Sequence, residues 1–346
     1  MKALTFRGKH QIGYESIPDP KILSPKDVIV RVKVCAICGS DLHVYHEHEK
    51  GIDLGTAMGH EFSGEIVEVG KEVRSLRKGD SVMSPFTTSC GECYYCRIGL
   101  TCRCERGQLF GWVENGKGLQ GGQSQFVRVP LAESTLMKIP DGVTSEEALL
   151  LGDVFSTGYF SALQAGIKRD GTYVVVGCGP VGLMAIIGAR ELGAESIYAV
   201  DAVHARREKA REFGAMVVTP EAVRETISAA TDGRGADAVM EAVGHYSAVR
   251  TALELVRPGG TISSVGVCTD PHLAFSPTEA YNKNLTYKIG RCPAKRLMDE
   301  LLPVILQKKY PIGSIFSHHM KLEEGIEGYE IFANKRDNCL KVLLNP

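Results

Sequence analysis

Residues 172–201 read TYVVVGCGPVGLMAIIGARELGAESIYAVD, and this stretch decides the fold. TYVVV is a short β-branched run of the kind that forms a strand buried on both faces. Gly177-Cys178-Gly179-Pro180-Val181-Gly182 then turns the chain into an apolar helix, and SIYAV returns as a second strand ending at Asp201. The residue types answer a specific need. The first glycine makes the tight turn, the second lets backbone approach a pyrophosphate, and the third lets helix pack on strand. The helix N-terminus adds positive potential for the phosphates. Asp201 stands 24 residues after Gly177, where a carboxylate accepts hydrogen bonds from an adenosine ribose. The stretch therefore reads as a Rossmann dinucleotide-binding unit. Asp201 favours NAD over NADP, because a carboxylate repels a 2′-phosphate. Arg206 and Arg207 lie nearby and soften that preference if they face the cofactor; otherwise they belong to a solvated helix face.

Beyond Asp201 the alternation continues. Helix AVHARREKAREFG, strand MVV, helix RETISAATDG, strand ADAVMEAV, helix YSAVRTALELV and strand TISSVGV follow in order. Strands alternating with helices specify a doubly wound parallel sheet covered on both faces. Before about residue 150 the texture is different. DVIVRVKV, GEIVEVG, DSVMSP and QSQFVRV are short strands between turns, with no long helical period, which predicts a β-rich domain. After residue 288 the sequence predicts one helix, AKRLMDELLPVILQKK, and a last strand, CLKVLL.

The 346 residues suit two domains, and the 40 Lys+Arg almost balance the 41 Asp+Glu. That balance gives no electrostatic reason to expect nucleic acid or an anionic membrane as partner. No apolar run is long enough for a transmembrane helix and the first residues carry no signal-peptide core, so a cytosolic home is expected. In a reducing compartment, clustered thiols read first as a metal site. Five of the eleven cysteines fall between Cys90 and Cys104. Cys90-x2-Cys93-x2-Cys96-x7-Cys104 suits a tetrahedral, fully thiolate zinc shell, which leaves no place for water and is structural. An iron–sulfur cluster is the other reading, and Cys102 competes for the fourth position.

Further candidate ligands are scattered: Cys38-Gly39-Ser40-Asp41-Leu42-His43, then Gly59-His60-Glu61-Phe62, then Gly152-Asp153-Val154. Spacing alone does not join them. However, ICGSDLH, GHEFSGEIVEVG, the Cys90–Cys104 lobe and the GCGPVG turn, in this order, resemble the zinc-dependent medium-chain alcohol dehydrogenases over essentially the whole chain. LLGDVFSTGYFSA, LVRPGGTISSVGV and YNKNL are most similar to the formaldehyde-dehydrogenase-like branch.

The resemblance implies a GroES-like catalytic domain, residues 1–152 and 288–346, around a Rossmann domain, residues 153–287. It implies Cys38, His60 and Asp153 as ligands of a catalytic zinc, with Asp153 where many relatives carry cysteine. Glu61 would be an alternative ligand or stand beside the shell, and Asp41 would brace His60. The structural zinc would take Cys104, not Cys102, as its fourth cysteine. Zinc lowers the pKa of an alcohol, a hydride passes to the nicotinamide, and Ser40 and His43 relay the proton by way of the cofactor ribose. Pro180, Val181, Val243, Gly266 and Val267 join Gly177, Gly179, Gly182, Asp201 and Arg206 in the expected cofactor site. Phe86 and Trp112 fall where relatives line the substrate pocket. Two zinc ions, NAD, a small alcohol or aldehyde and a homodimer or homotetramer are expected. A polyol (sorbitol-like) dehydrogenase or a formaldehyde dehydrogenase is the nearest alternative.

Overall fold

The computed structural model describes residues 1–346. Its contacts divide the chain into two compact units, Met1–Asp153 with Pro293–Pro346, and Val154–Cys292.

In the central unit six strands form one parallel sheet. Their spatial order is Met216–Val218, Ser196–Val200, Thr172–Val176, Ala236–Glu241, Val256–Ser264 and Thr286–Ile289. The chain starts in the middle, winds to one edge, then returns to wind to the other. Ligands bind in such sheets at the carboxyl ends of the strands where the direction reverses, here beside Thr172–Val176. Helix Pro180–Glu191 buries Leu183, Met184, Ile186 and Ile187. Helix Val154–Ala165 lies against it through two glycines: a Cβ on Gly158 would come 2.5 Å from the Ala185 nitrogen, and one on Gly188 2.9 Å from the Tyr159 Cα. Glycine is the residue that permits this approach.

The outer unit is built on a seven-stranded sheet whose longest member is Val28–Ile37. That strand pairs antiparallel with Phe62–Val69, with Phe126–Val129 and with the C-terminal strand Val342–Asn345. Apolar residues alternating along these strands fill one core, among them Val28, Val30, Val32, Phe62, Ile66, Val127, Val342 and Leu344. Register then fixes what meets at the end of the sheet. Ile37 stands opposite Val342, and Cys35 opposite Phe62. Cys38, Lys341 and the His60–Glu61 pair therefore emerge together from three strands far apart in sequence.

Two boundaries differ from the sequence reading. Residue 288 lies inside Thr286–Ile289, the sixth strand of the parallel sheet, so the chain leaves the central unit only after Cys292. Asp153 belongs to the outer unit, because it caps helix Ser145–Gly152 there.

The tightest point of the glycine turn is Gly182, where a Cβ would stand 1.8 Å from the Gly177 carbonyl oxygen. Gly182→Ala is expected to destabilise the central unit by about 1–3 kcal/mol through forced backbone displacement, measured by urea unfolding. A variant as stable as the parent would show that the turn has room to relax.

Candidate functional site

Helix Gly39–Tyr45 begins at Cys38, whose N–H donates to the Asp41 carboxylate at 2.9 Å. This local cap orients both residues. Asp41 Oδ1 lies 3.2 Å from His60 Nδ1 and fixes that imidazole from behind, leaving Nε2 to face forward. The Asp41 carboxylate also accepts from Gln123 Nε2 at 3.1 Å, and Tyr329 Oη donates to Gln123 Oε1 at 2.9 Å. All four side chains other than Cys38 are buried, so the imidazole is held by a fully partnered network. Gln123 and Tyr329 escaped the sequence reading, since neither is a ligand type and each is distant along the chain.

His60 Nε2 faces Asp153 Oδ2 at 3.2 Å, and Cys38 Sγ lies 3.6 Å from the same oxygen. With Glu61, these residues bring one donor atom each within 4.8 Å of one another. A tetrahedral zinc with bonds of ~2.0–2.3 Å spaces its nitrogen, oxygen and sulfur ligands about 3.3–3.6 Å apart. The electrostatics agree with that shape. Burial, then Glu61 and Asp153, push the Cys38 thiol up to about 11. Burial works against a charged His60, yet Asp41, and after it Cys38, hold its pKa well above the ordinary value. Donor atoms here outnumber cations, the condition a divalent ion satisfies. Ser40 Oγ lies 3.2 Å from His60 Nε2, and the Phe86 ring stands edge-on to His60 with centroids 6.4 Å apart. Trp112, on the Trp112–Glu114 strand, is half-buried and packs against the core of the outer unit.

Behind Glu61 lies an unanticipated residue. Lys341, 1% exposed, places Nζ 2.9 Å from Glu61 Oε1 and 2.6 Å from Oε2. Burial raises the Glu61 pKa in spite of Lys341, while Glu61 raises that of Lys341 in spite of burial. In the sequence Lys341 sits in CLKVLL and reads as the polar face of a strand; only the register of the sheet brings it to Glu61.

The second cluster is Cys90, Cys93, Cys96 and Cys104, again within 4.8 Å of one another, without Cys102. The Cys90–Cys96 and Cys93–Cys104 sulfurs are each 3.9 Å apart, against about 3.8 Å for the edge of a tetrahedron with 2.3 Å Zn–S bonds. Burial opposes a Cys90 thiolate, but N–H donors from Glu92 and Cys93 prevail and bring it down to about 6. These residues could hold a zinc ion.

In the central unit Gly177 has φ +92 and donates to the Val200 carbonyl at 2.9 Å. Gly179 opens helix Pro180–Glu191 with no side-chain cap, so the first N–H groups are free for an anion. The only neighbour a Cβ on Gly179 would meet is Arg206 Nη1 at 3.8 Å, which puts that guanidinium over the turn. Arg207 is tied to the carbonyls of Asp201 and Ala202. Asp201 accepts from Cys178 N and Val203 N, both at 2.8 Å, and so stands fixed at the strand end. Val243 and Val267 are 49% and 43% exposed, and Gly266 packs on Gly244 between them. An open glycine cradle flanked by exposed apolar side chains fits a dinucleotide.

Residues 24–141 match the alcohol dehydrogenase GroES-like domain, and residues 180–306 match the zinc-binding dehydrogenase family. Zinc-type alcohol dehydrogenase B of Aspergillus flavus is 42% identical, over 99% of this chain and 80% of that protein. The chain belongs to the zinc-type medium-chain alcohol dehydrogenase family. Among solved structures, alcohol dehydrogenase TADH from Thermus sp. ATN1 superposes with a TM-score of 0.93 at 37% identity, covering 100% of this chain and 99% of that one. An Escherichia coli alcohol dehydrogenase complexed with NADH and a Sinorhizobium meliloti protein bound to NADP share the fold at 26% identity each, with TM-scores of 0.85 and 0.83. Family members thus take either nicotinamide dinucleotide. This chain is an oxidoreductase of alcohol dehydrogenase type, and no helix in it is long and apolar enough to cross a membrane.

Removing one partner of a buried ion pair leaves an uncompensated charge and costs about 3–5 kcal/mol. Lys341→Met is expected to lose that much stability in urea unfolding, and adding Glu61→Gln should restore most of it. Equal losses in the single and double variants would assign the effect to the packed lysine stem and not to its charge.

Proposed function

We propose that the chain interconverts a small alcohol and its aldehyde or ketone, with NAD as hydride carrier and two zinc ions, one catalytic and one structural. The observation that carries this reading is the convergence of Cys38, His60, Glu61 and Asp153 in the outer unit. Cys38, His60 and Asp153 would hold a zinc ion, which would supply Lewis acidity toward the substrate oxygen. Glu61, paired with Lys341, stands in reserve behind the shell. Cys90, Cys93, Cys96 and Cys104 hold the closed structural ion. The glycine turn, with Asp201, Val243 and Val267, would hold a nicotinamide dinucleotide, which would supply the hydride acceptor.

The protein's own groups move the proton. Ser40 Oγ, beside His60 Nε2, takes it from the alcohol. His43 lies one helical turn further along, with Nδ1 buried and lacking a hydrogen-bond partner. Burial lowers the His43 pKa, which favours the neutral imidazole that can accept a proton.

Asp201 at the ribose position supports NAD over NADP, and Arg206 over the turn supports tolerance of the second. Asp153, where many relatives carry cysteine, supports placement in the formaldehyde-dehydrogenase-like branch. The edge strand Thr286–Ile289, with Ile289 largely exposed, supports pairing between copies, since an open edge is a template for another strand.

Asp153→Ala is expected to lose the catalytic ion while retaining about one zinc per chain, measured by metal analysis after dialysis; retention of both ions would exclude Asp153 as a ligand. His43→Ala is expected to lower kcat/KM by about tenfold to a hundredfold. The loss should be largest at acid pH, where solvent bases are scarce, and the zinc content unchanged. A pH profile parallel to the parent's would remove His43 from the proton path.

A further inference from the structure

The hairpin turn after strand Lys2–Gly8 holds His10 at φ +58, a left-handed position where Asn, Asp or Gly is usual. Its N–H donates to the Tyr45 carbonyl at 2.7 Å, tying the turn to the last residue of helix Gly39–Tyr45. The next residue, His46, caps that helix. His10 Nε2 and His46 Nδ1 lie 2.8 Å apart, with the rings nearly perpendicular and centroids 4.9 Å apart. The His48 ring stands 5.5 Å from that of His46, and the Tyr45 ring lies 5.2 Å from both His10 and His46.

Histidine is among the residues that tolerate this conformation, and here the turn brings one imidazole nitrogen to hydrogen-bonding distance of another. Partial burial, then the neighbouring His10, His48, His43 and Lys9, lower the His46 pKa, and a metal ion would take the place of the proton that the His10 and His46 nitrogens share. Two nitrogens on a tetrahedral zinc with ~2.0–2.1 Å bonds lie about 3.3 Å apart, so the rings need to part by only about half an ångström. A cavity of about 310 Å³, lined by His10 with Arg7, Ile12, Tyr45 and Glu330, opens on the His10 side of the pair.

We propose that His10 and His46 chelate a divalent transition-metal ion of the zinc, nickel or copper class, with water completing the shell. The site is separate from both cysteine-containing clusters, and imidazole donors suit this class of ion. Its occupancy bears on the helix that carries Ser40 and His43. The N–H groups of His48 and Glu49 donate to the His43 carbonyl at 2.8 and 3.1 Å, so an ion bridging turn and helix end stiffens the segment around His43 and slows turnover.

The test is equilibrium dialysis of the zinc-replete enzyme against graded free zinc, with parent, His10→Ala and His46→Ala compared in parallel. The parent should take up one further zinc equivalent that each variant binds roughly tenfold more weakly or not at all. Inhibition of the parent should follow the same zinc range and be lost in both variants. Equal uptake by all three proteins, or no uptake by the parent, would overturn the site. The result is a difference between parent and variants, so it stands or falls apart from whether the Cys38 cluster holds zinc.

Discussion

The outer unit turns on one buried interaction, the ion pair between Lys341 and Glu61. Two charges taken out of water repay their desolvation only when geometry and hydrogen bonding are good, and here the ammonium meets both carboxylate oxygens. The pair forms because the strand Val342–Asn345 lies in register beside Val28–Ile37, which in turn pairs with Phe62–Val69. The same register lines up Cys38 and His60. A slip of one residue would turn every side chain of the strand to the opposite face, so the hydrophobic alternation that builds the core also places the donors.

The charge balance of the site follows from this arrangement. Cys38, Glu61 and Asp153 are anionic or potentially so, with Asp41 one step behind His60. Lys341 offsets one of them and a divalent ion offsets two more. Glu61, adjacent in sequence to His60, is thereby engaged by a buried ammonium. The cysteine lobe solves a different problem. Its sulfurs already sit at the spacing of a closed tetrahedron, and backbone N–H groups lower the thiolate at Cys90, so the lobe is built to keep an ion and not to expose one.

Legibility in the sequence divided along the same line. Features made of consecutive residues were readable: the strand–turn–helix around Gly177, the four closely spaced cysteines and the Cys38–Asp41 turn each carry their reason locally. Features made by register were not. Nothing in CLKVLL marks Lys341 as buried, and neither Gln123 nor Tyr329 signals a partnership with Asp41. The sixth strand of the parallel sheet, Thr286–Ile289, was missed because its half-exposed side chains lack an apolar run. Cys38, His60 and Asp153 were joined only through family resemblance, and that resemblance also favoured Cys104 over Cys102, the choice the geometry favours as well.

Glu61 and its counter-charge Lys341 stand on opposite sides of the Val154–Cys292 segment in the sequence. Domains generally fold from the N-terminus during synthesis, and Lys341, just before strand Val342–Asn345, cannot reach its sheet until the whole Val154–Cys292 unit has been translated. Until then Glu61, His60 and Cys38 face water or one another with no buried cation behind them. A variant without Lys341 would keep Cys38, His60, Glu61 and Asp153 together yet leave the Glu61 carboxylate with no buried cation beside it.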